Sequence, residues 1–222
     1  MEPLILYFVL FFPGIFSSSF PSALSSGIEA AEAIPFSILH ELSRTLTYTI
    51  PALALLWYLM SDKNGFSALK DEKPSLWDTI SFAVGLPSLI IIGLGISFLV
   101  TQFSGYPNLA PPPMVEPPVN LWGYIVMVLS CLGTGYLEES YFRYYLLTRL
   151  ENSVPQLILR IIFSTTLFSL CHFYEGPWGI LNAVLAGILL SVLFTRFRSL
   201  HGIAWAHGAY NIFVYVMGNL GS

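Results

Sequence analysis

The stretch at about 76–103 decides the fold class. It holds Leu89–Ile92 and Ile96–Val100 and, apart from Asp78 at its start, no charged residue. A helix of about 20 mostly apolar residues crosses a bilayer. Six further stretches qualify: about 3–20, about 36–60, Val119 to about Leu150, Pro155–Phe173, Pro177 to about Thr195, and Leu200 to about Leu220. The first is interrupted by Pro13 and Ser17–Ser19. With Glu2 and no Lys or Arg ahead of it, it does not read as a signal peptide. The expectation is an all-α, polytopic transmembrane helical bundle of about seven spans, with six to eight compatible. Residues 1–222 form a single integral membrane domain, with no internal repeat.

Composition agrees. Charged residues make up 10% of the chain and hydrophobic residues 55%, against about a quarter charged in soluble domains. The aromatic share of 15% excludes disorder. The net charge of −4 points to no nucleic-acid partner. Cys131 and Cys171 both lie in apolar stretches, so neither a disulfide framework nor a metal cluster is expected.

The loops check the span count independently. Lys63, Lys70 and Lys73 lie between the second and third spans. Arg149 and Arg160 flank the turn between the fourth and fifth, and Arg196 and Arg198 follow the sixth. The alternate loops, about 21–35, 104–118 and 174–176, contain no Lys or Arg. This alternation expects a cytoplasmic N-terminus and an outside C-terminus. The proline-rich 104–118 segment reads as a stiff extended connector.

Ionisable side chains at mid-membrane cost about 2.5–3.5 kcal/mol on insertion scales, so each is a functional candidate. Three fall at one depth. At about 1.5 Å per helical residue, Glu138 lies ~16 Å from Arg149, His172 ~18 Å from Arg160 and His207 ~14 Å from Arg198. These depths approach the midplane of a core ~30 Å thick. Asn211 stands one turn from His207 on the same helix face. Glu139 and Arg143 are spaced i,i+4 in the favourable order and read as an ion pair. Glu138, about 100° round the helix from Glu139, has no such cation and is a candidate general base.

Each residue also has a plain structural reading. A lone buried histidine is as readily a hydrogen-bonded packing residue. Glu138, Glu139 and Arg143 could be an interhelical salt-bridge cluster. Their shared depth and face favour a site. His40, Glu41 and Arg44, near the outer end of the second span, read as structural. Cys171 and His172 are neighbours whose side chains point apart, so a Cys–His nucleophile is not expected. Tyr141, Phe142, Tyr144 and Tyr145 read as packing and interfacial belt.

Glu138-Glu139-Ser140-Tyr141-Phe142-Arg143 matches EExxxR, Phe168 to His172 matches FxxxH, and His207 to Asn211 matches HxxxN. In this order on three spans they resemble the CPBP family, the CAAX-processing and bacteriocin-processing (Abi) intramembrane proteases. The resemblance covers 138–211, within a catalytic half at 119–220. It implies a glutamate-type intramembrane endopeptidase of roughly eight spans that needs no metal or other cofactor. It also implies roles: Glu138 and His172 activate a water, His207 and Asn211 form the oxyanion hole, and Glu139 and Arg143 support the helix. The implied partners are the bilayer and a peptide or protein substrate, lipidated or not. The expected location is a prokaryotic plasma membrane.

Three other readings compete. Glu138, His172 and His207 could hold zinc in a metalloprotease, although no HExxH is present. A proton-coupled transporter could use the same Glu/His relay, although its two-half repetition is absent. A catalytically silent scaffold of the same fold is the third.

Overall fold

Helices begin where the sequence supplies caps. Asn120 accepts from the Gly123 amide at 2.8 Å, and Ser37 from the His40 amide at 3.3 Å. Ser75 and Asp78 form a reciprocal capping box that opens the longest apolar helix. Pro177 sits in the first turn of another helix, where its missing N–H is harmless. That helix ends on Arg198, whose φ of 54° is a left-handed stop.

The computed structural model describes residues 2–11, 35–61, 75–103 and 115–217. Within them the chain is an all-α bundle. Helix α1 is Glu2–Leu10. Helix α2 (Ile38–Arg44) runs through a π segment (Thr45–Thr49) into α3 (Ile50–Leu59). Helix α4 is Leu76–Gln102. Helix α5 (Leu121–Glu139) continues through a second π segment (Ser140–Tyr145) into α6 (Leu146–Arg149). Helix α7 (Leu157–Cys171) reverses through a short 3₁₀ turn (Phe173–Glu175) into α8 (Gly176–Phe197). Helix α9 is Leu200–Met217.

Three rods are long and apolar enough to cross a membrane: Leu76–Gln102, Leu121–Arg149 and Phe173–Phe197. Helix α7 is a shorter apolar helix. The predicted second, third, fourth, sixth and seventh spans all appear as helix within the described residues. The first span is described only to Phe11, and most of the proline-rich loop lies outside the described residues. On α4 the large side chains Val84, Ile91, Leu94 and Phe98 are exposed, as lipid-facing positions of an integral membrane protein are.

Helix α9 packs between α4 and α5, and α8 packs between α4 and α7. The second π segment touches α3, α5, α7, α8 and α9, which makes it the hub. Its aromatics Tyr141, Phe142, Tyr144 and Tyr145 are all buried, so they are core rather than belt. Helix α1 braces them: Tyr141 donates to the Pro3 carbonyl at 2.6 Å and Tyr145 to the Glu2 carboxylate at 2.7 Å. Tyr7 donates to the Leu167 carbonyl at 3.0 Å, tying α1 to α7. Glu2 also pairs with Arg149 at 2.9 Å.

Candidate active site

The α5–α9 contact is made by backbone. A Cβ on Gly135 would lie 2.8 Å from both the Ala204 carbonyl oxygen and the Gly208 nitrogen. A Cβ on Gly208 would lie 2.9 Å from the Leu132 Cα. Small residues at both positions let the two helices approach closely. His207 precedes Gly208, and Glu138 and Glu139 follow Gly135 by about one turn. The close approach therefore brings histidine and glutamates together.

His207 lies between the two carboxylates. Its Nδ1 is 2.7 Å from Glu139 Oε1, and its Nε2 is 3.7 Å from Glu138 Oε2. The Glu139 carboxylate can only accept, so Nδ1–H donates to it. Arg143 Nη1 donates to the same Glu139 oxygen at 3.1 Å, as the i,i+4 spacing predicts. Glu139 and Arg143 side chains are 0% exposed, His207 7% and Glu138 16%. Glu138 thus lies at the open edge of the cluster. Its Oε2 has no hydrogen-bond partner among the described residues.

Phe168 joins His172 to this group. The Arg143 guanidinium carbon stands 4.2 Å from its ring centroid, a cation–π distance. The His172 ring is 4.6 Å from Phe168, and the His207 ring meets it edge-on at 6.0 Å. Arg143 Nε and Nη2 have no hydrogen-bond partner among the described residues, and the aromatic face offsets part of that cost. His172 closes α7, and its Nδ1 is 2.9 Å from the Phe168 carbonyl oxygen. A carbonyl accepts only, so Nδ1 carries a proton, and it is the Nε2 of the neutral ring that offers the lone pair.

Of the six residues singled out by sequence, Glu138, Glu139, Arg143 and His207 meet directly. His172 reaches them through the Phe168 ring, and Asn211 lies one turn beyond His207 on α9, partly exposed. Cys171 points away from His172, with its Sγ 3.5 Å from the Tyr7 hydroxyl. Among the described residues no group of three or more His, Cys, Asp or Glu side chains could hold a metal ion.

Two features of the site depend on tertiary contacts. Phe168 stands in the sequence only as the first residue of FxxxH, and its contacts with Arg143, His172 and His207 are tertiary. Ser130 and Thr134, at i−8 and i−4 from Glu138, put hydroxyls on its helix face, where they hold Arg44.

Residues 120–213 match the family model described as Rce1-like, type II CAAX prenyl endopeptidase. This segment is similar to the Rce1-like family. The match holds all three motifs and every site residue named above, and it agrees with the family that the motif triplet resembles. No curated protein and no solved structure matches the chain. The matched segment begins at the cap of α5 and ends near the close of α9, so α1 to α4 lie outside it.

Proposed function

We propose that the protein is an intramembrane endopeptidase of the CAAX type, hydrolysing a peptide bond with a water activated by Glu138 and His172. The observation that carries this reading is the placing of His207 between the carboxylates of Glu138 and Glu139. A structural ion pair needs only Glu139 and Arg143. The second glutamate and the histidine are surplus to it, and Glu138 is the member at the open edge.

Each group suits one step. Glu138 takes a proton from water, and the hydroxide attacks the scissile carbonyl carbon. His172, with its lone pair held on Nε2 by the Phe168 carbonyl, accepts from the same water and orients it. The carbonyl oxygen gains negative charge. His207, with Nδ1–H committed to Glu139, presents Nε2 as a donor to that oxygen when both nitrogens are protonated, and Asn211 adds an amide donor. One such donor contributes about 10²–10³ in rate. As the tetrahedral intermediate collapses, Glu138 returns its proton to the leaving amine. Glu139 and Arg143 keep His207 aligned and add no net charge of their own.

The family match supports a prenylated CAAX tail as the substrate class, and the bilayer setting suits a lipidated chain end. The test uses the full chain in lipid vesicles with a prenylated CAAX peptide carrying a fluorophore and a quencher. Wild type should release fluorescence. Glu138→Ala should be silent while still inserting and folding. Cleavage by Glu138→Ala at the wild-type rate would sink the mechanism. Comparative proteomics of membrane fractions from wild-type and Glu138→Ala cells would then name the natural substrate by the peptide terminus that disappears.

A further inference from the structure

Glu41 and Arg44 are unused by the mechanism above. Helix α2 packs on α5, and Arg44 is fastened there. Its Nη1 donates to Thr134 Oγ1 at 3.1 Å and its Nη2 to Ser130 Oγ at 2.6 Å. Nη2 and Nε both donate to Glu41 Oε2, at 2.8 and 3.3 Å. These bonds use four of the five N–H donors of a guanidinium, and 34% of the side chain stays exposed. An i,i+3 ion pair needs neither a second helix nor a spare donor. A charged side chain left open within a membrane bundle marks a path for a polar substrate.

The anchor lies along a track that starts at the proposed cutting point. Leu132 meets Gly208 and Gly135 meets Ala204, so α5 and α9 run antiparallel. Thr134 and Ser130 therefore step away from Glu138 in the direction in which Asn211 and Tyr215 step away from His207. Phe36, just before α2, meets the Tyr215 ring edge-on at 6.2 Å, so this end of the chain touches both walls. Thr134 and Ser130 stand one and two turns from Glu138, about 6–12 Å at ~1.5 Å per residue. An extended peptide covers that length in about two to three residues.

We propose that Arg44 binds the free α-carboxylate that ends the substrate chain, so that Arg44 and Glu138 together measure a short C-terminal tail and place the bond before it at the site. The inference rests on the endopeptidase reading of Glu138 and supplies the recognition which that reading leaves open. A CAAX tail ends three residues after its prenylated Cys, which fits this length. Thr134 and Ser130 hold the guanidinium in place, and its remaining N–H meets the incoming carboxylate. Glu41 offsets the charge of Arg44 and competes with the substrate for it.

The test compares a prenylated CAAX peptide with its C-terminal amide, using the full chain in lipid vesicles. In wild type the amide should show a KM raised about 10–100-fold with kcat little changed, the usual worth of a hydrogen bond between charged groups. Arg44→Gln should erase this acid-to-amide ratio, and Arg44→Lys should restore part of it. A residue that only braces α2 would weaken both peptides alike. Equal KM for acid and amide in wild type, or a ratio that survives Arg44→Gln, would overturn the inference. Should Arg44→Gln fail to fold, Glu41→Gln decides: removing the competing carboxylate should widen the ratio, and an unmoved ratio ends the proposal. Binding of the two peptides to Glu138→Gln, which needs no turnover, reads the same ratio. Cleavage of the acid by Glu138→Gln at the wild-type rate would remove the base reading, and the measured tail with it. An active wild type that ignores the carboxylate overturns the Arg44 assignment alone.

Discussion

Gly135 on α5 and Gly208 on α9 meet backbone to backbone: a Cβ on Gly135 would stand 3.1 Å from the Gly208 Cα. Main chain cannot step aside as a flexible side chain can. Gly135→Ala should therefore destabilise the bundle by about 1–3 kcal/mol, the usual range for overpacking. It should also separate His207 from both glutamates and lower activity more than stability. Thermal unfolding in lipid, set beside peptide cleavage, checks both.

His207→Ala should lower kcat by about 10²–10³ with little change in KM, as expected for a donor that acts on the oxyanion. A variant that raises KM alone would place His207 in substrate binding instead.

Glu139→Gln keeps the shape of the side chain but strands Arg143, which is 0% exposed. Breaking a buried pair in this way costs about 3–5 kcal/mol. The expected result is a lower unfolding temperature and a lower rate together. Combining Glu139→Gln with Arg143→Met should recover part of the stability and none of the lost activity.

Phe168→Ala should cost about 3–5 kcal/mol through the cavity it leaves, with a further loss of the Arg143 cation–π contact. Phe168→Leu retains most of the volume and removes the ring face. It should be the more stable variant and yet reduce kcat, because His172 loses the ring packed against it at 4.6 Å. Equal activity in Phe168→Leu and wild type would limit Phe168 to filling space.

Glu2 lies ahead of the first apolar segment, and the Arg149 and Tyr145 hydrogen bonds hold its carboxyl below the usual carboxylate range. A lowered folded value gives stabilisation that is present above the unfolded carboxylate value, near 4.5, and lost as pH falls through the folded one. Docking of α1 should therefore loosen in acid. Hydrogen exchange along α1 should rise below about pH 4.5 in wild type. In Glu2→Gln it should be raised and independent of pH.

Much of the bundle is legible in the chain because apolar runs and caps are local signals. Asn120, the Ser75–Asp78 pair and Pro177 mark helix starts where the helices begin. The shared depth of Glu138, His172 and His207 follows from arithmetic along the chain; in the structure His207 lies 3.7 Å from Glu138, and the His172 and His207 rings both meet Phe168. The His207–Glu139 bond was not legible. Spacing supplies Glu139 with Arg143 as a partner, and no sequence distance shows that a residue 68 positions away completes the trio. The two π segments were equally hidden. Their bonding register is chosen by tertiary packing, here by α1 and by Ser164, which donates to the Phe142 carbonyl. The Arg44 contacts were missed because its partners lie 86 and 90 residues away.

The π segment at Ser140–Tyr145 has a mechanical meaning. It adds one extra link to the rod just after the glutamate pair, and it carries Tyr141 and Tyr145, through which α1 grips the rod. Removing one residue there would let the helix return to regular winding. The grip and the glutamates would then be out of phase by about 100°. Insertions and deletions along this rod should thus be far less tolerated than substitutions, because rotational phase, as much as residue identity, aims Glu138.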